Sequence, residues 1–231
     1  LVLASVCALL LATGEAAGNP LIVSAGRYVE IGAEGAPIFT ETLGGAGAFS
    51  KSISHPIGVP GGNLESVAAS QNSSVDGSAG VFAGSGSASI SYSVLASQGV
   101  YASSFFDVFF DLAVPHAYVL AGGLTAMDDG GFARARLGLS GPVSFSFLAI
   151  GTDPNTPLSG SGVLPAGSYR LVVEASMDNG GNFQEGAYMG GSSEFAFQME
   201  VAAQGTPVPE PAMWLLLAIG LAWGTGRRAR G

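Results

Sequence analysis

Apolar and polar residues alternate with period two through most of the middle of this chain. In Glu194-Phe195-Ala196-Phe197-Gln198-Met199-Glu200-Val201, the residues Phe195, Phe197, Met199 and Val201 fall on one face. Glu194, Gln198 and Glu200 fall on the other, the pattern of a half-buried antiparallel strand. The same alternation marks Ile90, Tyr92 and Val94 between serines, and Val143, Phe145, Phe147 and Ala149 around Ser144 and Ser146. It sets Phe106, Val108, Phe110 and Leu112 against Phe105, Asp107, Phe109 and Asp111, and Tyr169, Leu171 and Val173 against Arg170, Val172 and Glu174. Shorter strands are expected at residues 21–23, 27–31, 81–82, 118–120 and 132–139. Turn chemistry separates them: Gly122-Gly123, Asp128-Asp129-Gly130-Gly131, Ser140-Gly141-Pro142, residues 153–157, Pro165-Ala166-Gly167 and Asp178-Asn179-Gly180-Gly181-Asn182. Short strands punctuated this regularly predict an all-β fold, an antiparallel β-sandwich of jelly-roll or immunoglobulin-like type. Residues 33–89 break the rhythm. Their Gly, Ser and Ala runs predict long loops or short edge strands.

The two ends obey different rules. Residues 1–12 form an apolar run of signal-peptide length, followed by the small residues Gly14, Ala16, Ala17 and Gly18. The basic n-region is missing, since the first residue is leucine, and cleavage is expected between Gly14 and Asn19. Cys7 is the single cysteine and lies inside the leader, so the mature body has no disulfide framework. At the other end, Pro209-Glu210-Pro211 precedes an apolar run from Ala212 to Gly224, and then Arg227, Arg228 and Arg230. The two prolines stop a helix from running back into the body and leave Glu210 on an extended peptide. As a helix the run is about 20 Å long, a marginal span of a hydrocarbon core roughly 30 Å thick. Snorkelling arginines lengthen it, and Trp214 and Trp223 suit the two interfaces. The arginines orient the C-terminus toward the cytoplasm.

This order of VPEP, short apolar helix and arginine cluster resembles the PEP-CTERM sorting signal of bacterial exosortase substrates. The resemblance covers Pro207 to Gly231 alone. It implies that the leader directs export, that the tail parks the precursor in the inner membrane, and that an exosortase cuts near Pro209, Glu210 and Pro211. The body then passes to the cell surface or the exterior, in company with exopolysaccharide. Three units follow: a signal peptide at 1–18, a secreted sandwich at 19–205, and a sorting tail at 206–231.

Removing both signals changes the electrostatic picture. The body holds five basic residues (Arg27, Lys51, Arg134, Arg136 and Arg170) against fifteen acidic ones, a charge of −10 where the whole chain carries −9. An acidic, lysine-poor surface disfavours nucleic acid and anionic lipid as partners, and no nucleic acid is expected.

Catalytic chemistry is hard to find. His55 and His116 lie far apart, and G-x-S-x-G, H-E-x-x-H and phosphate-binding glycine signatures are missing. No catalytic residue is assigned, and the chain is not expected to be an enzyme. Asp107 and Asp111 share a strand face and could make a glycosidase pair, though solvent-facing residues opposite a phenylalanine core are the plainer expectation. Calcium is the one metal considered, at Asp128 and Asp129 in one acidic turn and Asp178 and Asn179 in another. Turn formation explains both turns without a metal. Phenylalanines at inward positions read as core, while Tyr28, Tyr101, Tyr118 and Tyr188 could contribute to a sugar-binding face. Asn72-Ser73-Ser74 matches a glycosylation sequon, a match that carries little weight in a bacterial chain. The expected role is structural or adhesive at the cell surface. A carbohydrate-binding or calcium-assisted sandwich module is the alternative, and a secreted hydrolase the third reading.

Overall fold

Whole strands carry the period-two burial that the sequence shows in fragments. The computed structural model describes residues 18–33, 36–57, 65–93, 99–129, 132–151, 155–178 and 188–203. The leader up to residue 17, Asn179, the side chains of Asp129 and Tyr188, and the tail with Glu210, the apolar run and the arginines lie outside them. Among the described residues there are twelve strands and no helix, hence none long and apolar enough to cross a membrane. They are β1 (Leu21–Ala33), β2 (Ala36–Gly44), β3 (Gly47–Ile57), β4 (Glu65–Asp76), β5 (Val81–Ser93) and β6 (Val100–Leu112). After these come β7 (His116–Asp129), β8 (Phe132–Ser140), β9 (Phe145–Ile150), β10 (Thr156–Leu164), β11 (Gly167–Asp178) and β12 (Tyr188–Ala203).

The strands form two six-stranded antiparallel sheets, a β-sandwich. Sheet I runs β2-β1-β6-β11-β8-β9 and sheet II runs β10-β7-β12-β5-β4-β3. Inward positions of both fill one core. Phe82 and Phe110 meet across it at 4.9 Å between ring centroids, and Phe106 meets Phe197 edge-on at 5.0 Å. Tyr169 stacks on Phe110 and sends its hydroxyl to Pro165 O at 2.9 Å, fixing the β10–β11 corner. Ser193 Oγ donates to Ser176 O across the sheets.

Two expectations are corrected. Residues 33–89 hold β2, β3, β4 and most of β5, strands of 9 to 13 residues where long loops or short edge strands were expected, and β7 runs straight through Gly122-Gly123. One physical reason covers both. Phe195 of β12 stands opposite Gly86, and Phe197 stands opposite Gly84 on one side and Gly122 on the other. The phenyl rings lie over Gly84 and Gly86, while Gly122 faces the β12 backbone. A Cβ on Gly86 would fall 2.5 Å from the Phe195 ring, and one on Gly122 would collide with Ala196 O. Glycine is thus a strand residue here, lending its space to a neighbouring aromatic. Small inward residues dilute the hydrophobic period, which is why β4 shows none of it and β5 shows it only at its two ends.

Arg27 is an unexpected core residue, 1% exposed. Its guanidinium donates to Gly45 O and Gly47 O at 2.6 Å each and lies 6.0 Å from the centre of the Phe49 ring. It clamps the β2–β3 turn, where Gly45 (φ 88°) and Gly47 (φ 103°) adopt conformations that other residues resist.

Candidate functional site

The outer face of sheet I carries the chemistry. Antiparallel register lines residues into rows that cross the strands. One row is Thr42, Tyr28, Phe105, Glu174, Arg136 and Leu148, reaching over all six strands. The next is Gly44, Gly26, Asp107, Val172, Gly138 and Ser146. Beyond it stand Ser24, Phe109, Arg170 and Ser140. Small residues therefore lie between two rows of large ones, and a trough forms over β11, β8 and β9. It holds ≈ 430 Å³ and is lined by Phe105, Arg134, Arg136, Gly138, Ser146, Leu148, Arg170 and Val172. Its flanking rows are about 13 Å apart, four residues at roughly 3.3 Å each. A Cβ on Gly138 would meet nothing nearer than Phe145 O at 4.0 Å, so the floor is open above that glycine.

The polar groups around the trough hold one another in place. Arg170 grips Asp107 with two bonds, Nε at 3.0 Å and Nη2 at 2.8 Å, and its guanidinium lies over Phe109 at 4.9 Å. The carboxylate keeps Arg170 more firmly protonated than usual. Glu174 accepts from Arg136 Nε at 2.6 Å and from Arg134 Nη2 at 3.1 Å. The carboxylate side chains are 16% and 12% exposed and the three arginine side chains 45–46%, so the acids lie beneath and the guanidiniums above. Tyr28 and Phe105 stack at 4.9 Å beside them. Below this pair, the buried Gln71 amide reaches Tyr28 O and Phe105 O, both at 3.2 Å, when its nitrogen is turned toward them. Burial raises the Tyr28 pKa, with Glu30 and Glu174 adding to it. Tyr101 is pushed up to about 12, first by burial and then by its hydrogen bond to Glu30.

The sequence-based candidates divide. Tyr28, Tyr101, Asp107 and Asp111 all reach this face. Tyr118 instead stacks inward on Phe145 at 5.5 Å. Asp107 and Asp111 stand about 13 Å apart by strand rise, against roughly 5–9.5 Å between the carboxyls of a glycosidase pair. Asp107 is also tied to Arg170. His55 and His116 sit at opposite ends of the sandwich. His116 is buried, with Nδ1 2.7 Å from Val114 O and Nε2 3.0 Å from Gly18 O, while His55 lies against Phe39.

Register places Asp129 beside Gly190, and Asp178 beside Phe132. Among the described residues no group of three or more His, Cys, Asp or Glu is placed to hold a metal. Arg134, Arg136 and Glu174 were not singled out from the sequence. Alternation set Glu174 opposite the inward residues of its strand, but did not show that it meets Arg134 and Arg136.

A larger depression, ≈ 560 Å³, lies on the outer face of sheet II. Asn72, Ser74, Ala83, Ala121 and Gln198 line it, without a charged group, so it offers less to a ligand than the trough.

No family model matches this chain, and no curated protein matches it. Among solved structures it is similar to TmCBM61 in complex with beta-1,4-galactotriose, at 14% identity and a TM-score of 0.26, covering 55% of this chain and 72% of that one. It is also similar to a ruminal GH26 endo-beta-1,4-mannanase, at 15% identity and a TM-score of 0.23, covering 46% of this chain. The chain spans about a fifth (19%) of the mannanase's length.

Proposed function

We propose that this chain is an exported, non-catalytic module that binds polysaccharide along the outer face of sheet I. One observation carries the reading: the row of Tyr28, Phe105, Glu174 and Arg136 beside a trough floored by small residues. Aromatic rings stack on the apolar faces of sugars, while guanidinium and carboxylate groups hold hydroxyls in fixed directions. Both are present, and the Arg–carboxylate pairs are already oriented before any ligand arrives. The strand order suits a jelly-roll better than an immunoglobulin-like sandwich, because from β9 onward every strand changes sheet.

A glycan array probed with the full-length chain tests the reading. Binding is expected, and Phe105→Ala should lose it. An array without any bound glycan would overturn the proposal.

A structural or adhesive role has its own support. β9 is an edge strand of sequence FSFLAI, without charge or proline, and it exposes Leu148 and Ile150. Concentration-dependent sedimentation that a charge at position 148 abolishes would favour that role over glycan binding.

Delivery, in this proposal, follows the PEP-CTERM-like tail. The inner membrane holds the precursor, an exosortase processes it near Glu210, and the body reaches the surface with exopolysaccharide. Glu210→Ala should leave full-length protein in the inner-membrane fraction. Normal release of that variant, with an unchanged C-terminus by intact mass, would refute the sorting step.

A further inference from the structure

We infer that the polysaccharide is acidic, and that Arg136 and Arg170 bind its carboxylates from either side of the trough. The inference rests on the glycan-binding reading and sharpens it.

Charge placement is the first support. The body carries five cationic side chains against fifteen acidic ones, yet three of the five surround a single trough. The other two are committed elsewhere: Arg27 to carbonyls of the β2–β3 turn, and Lys51 to Glu41 at 3.4 Å. Around the trough three guanidiniums face two carboxylates, Asp107 and Glu174, which leaves one positive charge in excess. A surface built only for stability would not need the surplus, because exposed ion pairs contribute little.

Layering is the second. Each carboxylate lies low and fixes one edge of an arginine above it. Arg136 spends Nε on Glu174, Arg134 spends Nη2 there, and Arg170 spends Nε and Nη2 on Asp107. No other bond from these three guanidiniums to a described residue is found, and their side chains are about half exposed. A guanidinium held along one edge presents the other as a planar double donor, the shape that matches a carboxylate. Fixing it beforehand spares the ordering cost on binding.

The third support is shape. Val172, Gly138 and Ser146 make a low floor running across three strands, with Arg170 on one side and Arg136 and Leu148 on the other. An extended polymer with carboxylates on its ring edges fits such a channel. The acidic remainder of the body would repel this polyanion, so the attraction has to come from contacts at the trough.

Calorimetric titration of the full-length chain with polygalacturonate, its methyl ester and a neutral glucan tests this. Polygalacturonate should bind at least tenfold more tightly than its ester, a gap of about 1.4 kcal/mol. Arg136→Gln and Arg170→Gln should each remove that preference, while Arg170→Lys should recover part of it. The comparison of polymers needs no variant, so a misfolded variant does not spoil it. Equal binding of acid and ester overturns the acidic assignment and leaves glycan binding standing. If none of the three polymers binds and the glycan array is also blank, the glycan reading itself fails.

Discussion

Gly138→Leu puts the trough to a direct test. Gly138 lies between Val172 and Ser146 in the row of small residues, and a Cβ there meets only Phe145 O at 4.0 Å. The Cβ therefore has no protein atom to displace, and the isobutyl group extends into the trough space that a ligand would use. Its effect on folding should be small and favourable. Glycine inside a strand costs roughly 0.5–1 kcal/mol relative to a residue with a side chain. For a domain of this size about 1 kcal/mol moves the midpoint by roughly 2–4 °C. A melting temperature unchanged or raised by roughly 1–4 °C is expected. Binding should fall by tenfold or more, equivalent to about 1.4 kcal/mol, because a branched side chain would stand between the ligand and the floor. Calorimetric binding and thermal melting of the same sample separate the two effects. Full affinity in a well-folded Gly138→Leu variant would show that ligand does not lie over β8, and would refute the trough as the site.

Other substitutions probe the frame that holds this face. Gly86→Ala should have the opposite outcome to Gly138→Leu, since the new Cβ would collide with Ser104 Oγ and press on Phe195. Overpacking of this kind costs about 1–3 kcal/mol, a fall in midpoint of roughly 2–12 °C; an unshifted melt would refute the packing account. Arg27→Met removes two charge-assisted bonds to the β2–β3 turn. Water at the exposed turn replaces part of them, so about 2 kcal/mol is expected, with faster proteolysis between β2 and β3. A more stable variant would mean that desolvation of the guanidinium outweighs its bonds.

Tyr101 ties stability to alkaline pH. Its folded pKa stands at about 12 against an ordinary 10.0, so folding retains a proton that the unfolded chain gives up. The stabilisation is complete below pH 10.0 and is lost as pH rises toward about 12. Tyr101→Phe should flatten that loss in denaturant melts. Tyr28 and Tyr169 are shifted the same way and keep some of it. An identical alkaline profile in the variant would rule the coupling out.

The sequence reveals faces more readily than neighbours. Alternation in β6, β11 and β12 is unbroken, so the inward set of Phe106, Val108, Leu171, Val173, Phe195 and Phe197 can be read directly, as can the outward set of Asp107, Arg170 and Glu174. In sheet II, β12 is as legible, but β5 shows only at its ends because glycine takes inward positions beneath Phe195 and Phe197, a role visible only once their pairing is known. The trough escapes for a similar reason. Tyr28, Phe105, Glu174, Arg136 and Leu148 come from five strands and become neighbours through register alone. A slip of one residue in any of them would turn its side chains to the other face.

Composition cannot supply that information, as the two outer faces demonstrate. Both are rich in small residues. On sheet II these fall in successive rows: Ser50, Asn72, Ser85, Ala196 and Gly123, then Ser52, Ser70, Ser87, Glu194 and Thr125. With every row low, the surface is broad and open. On sheet I, Val172, Gly138 and Ser146 form one low stretch, beside Asp107 in the same row, between two rows that hold the aromatics and arginines. Where the small residues fall relative to the large ones decides whether a β-sandwich face is a plain or a channel. Here that placement aligns the channel with the exposed arginines of an otherwise acidic body.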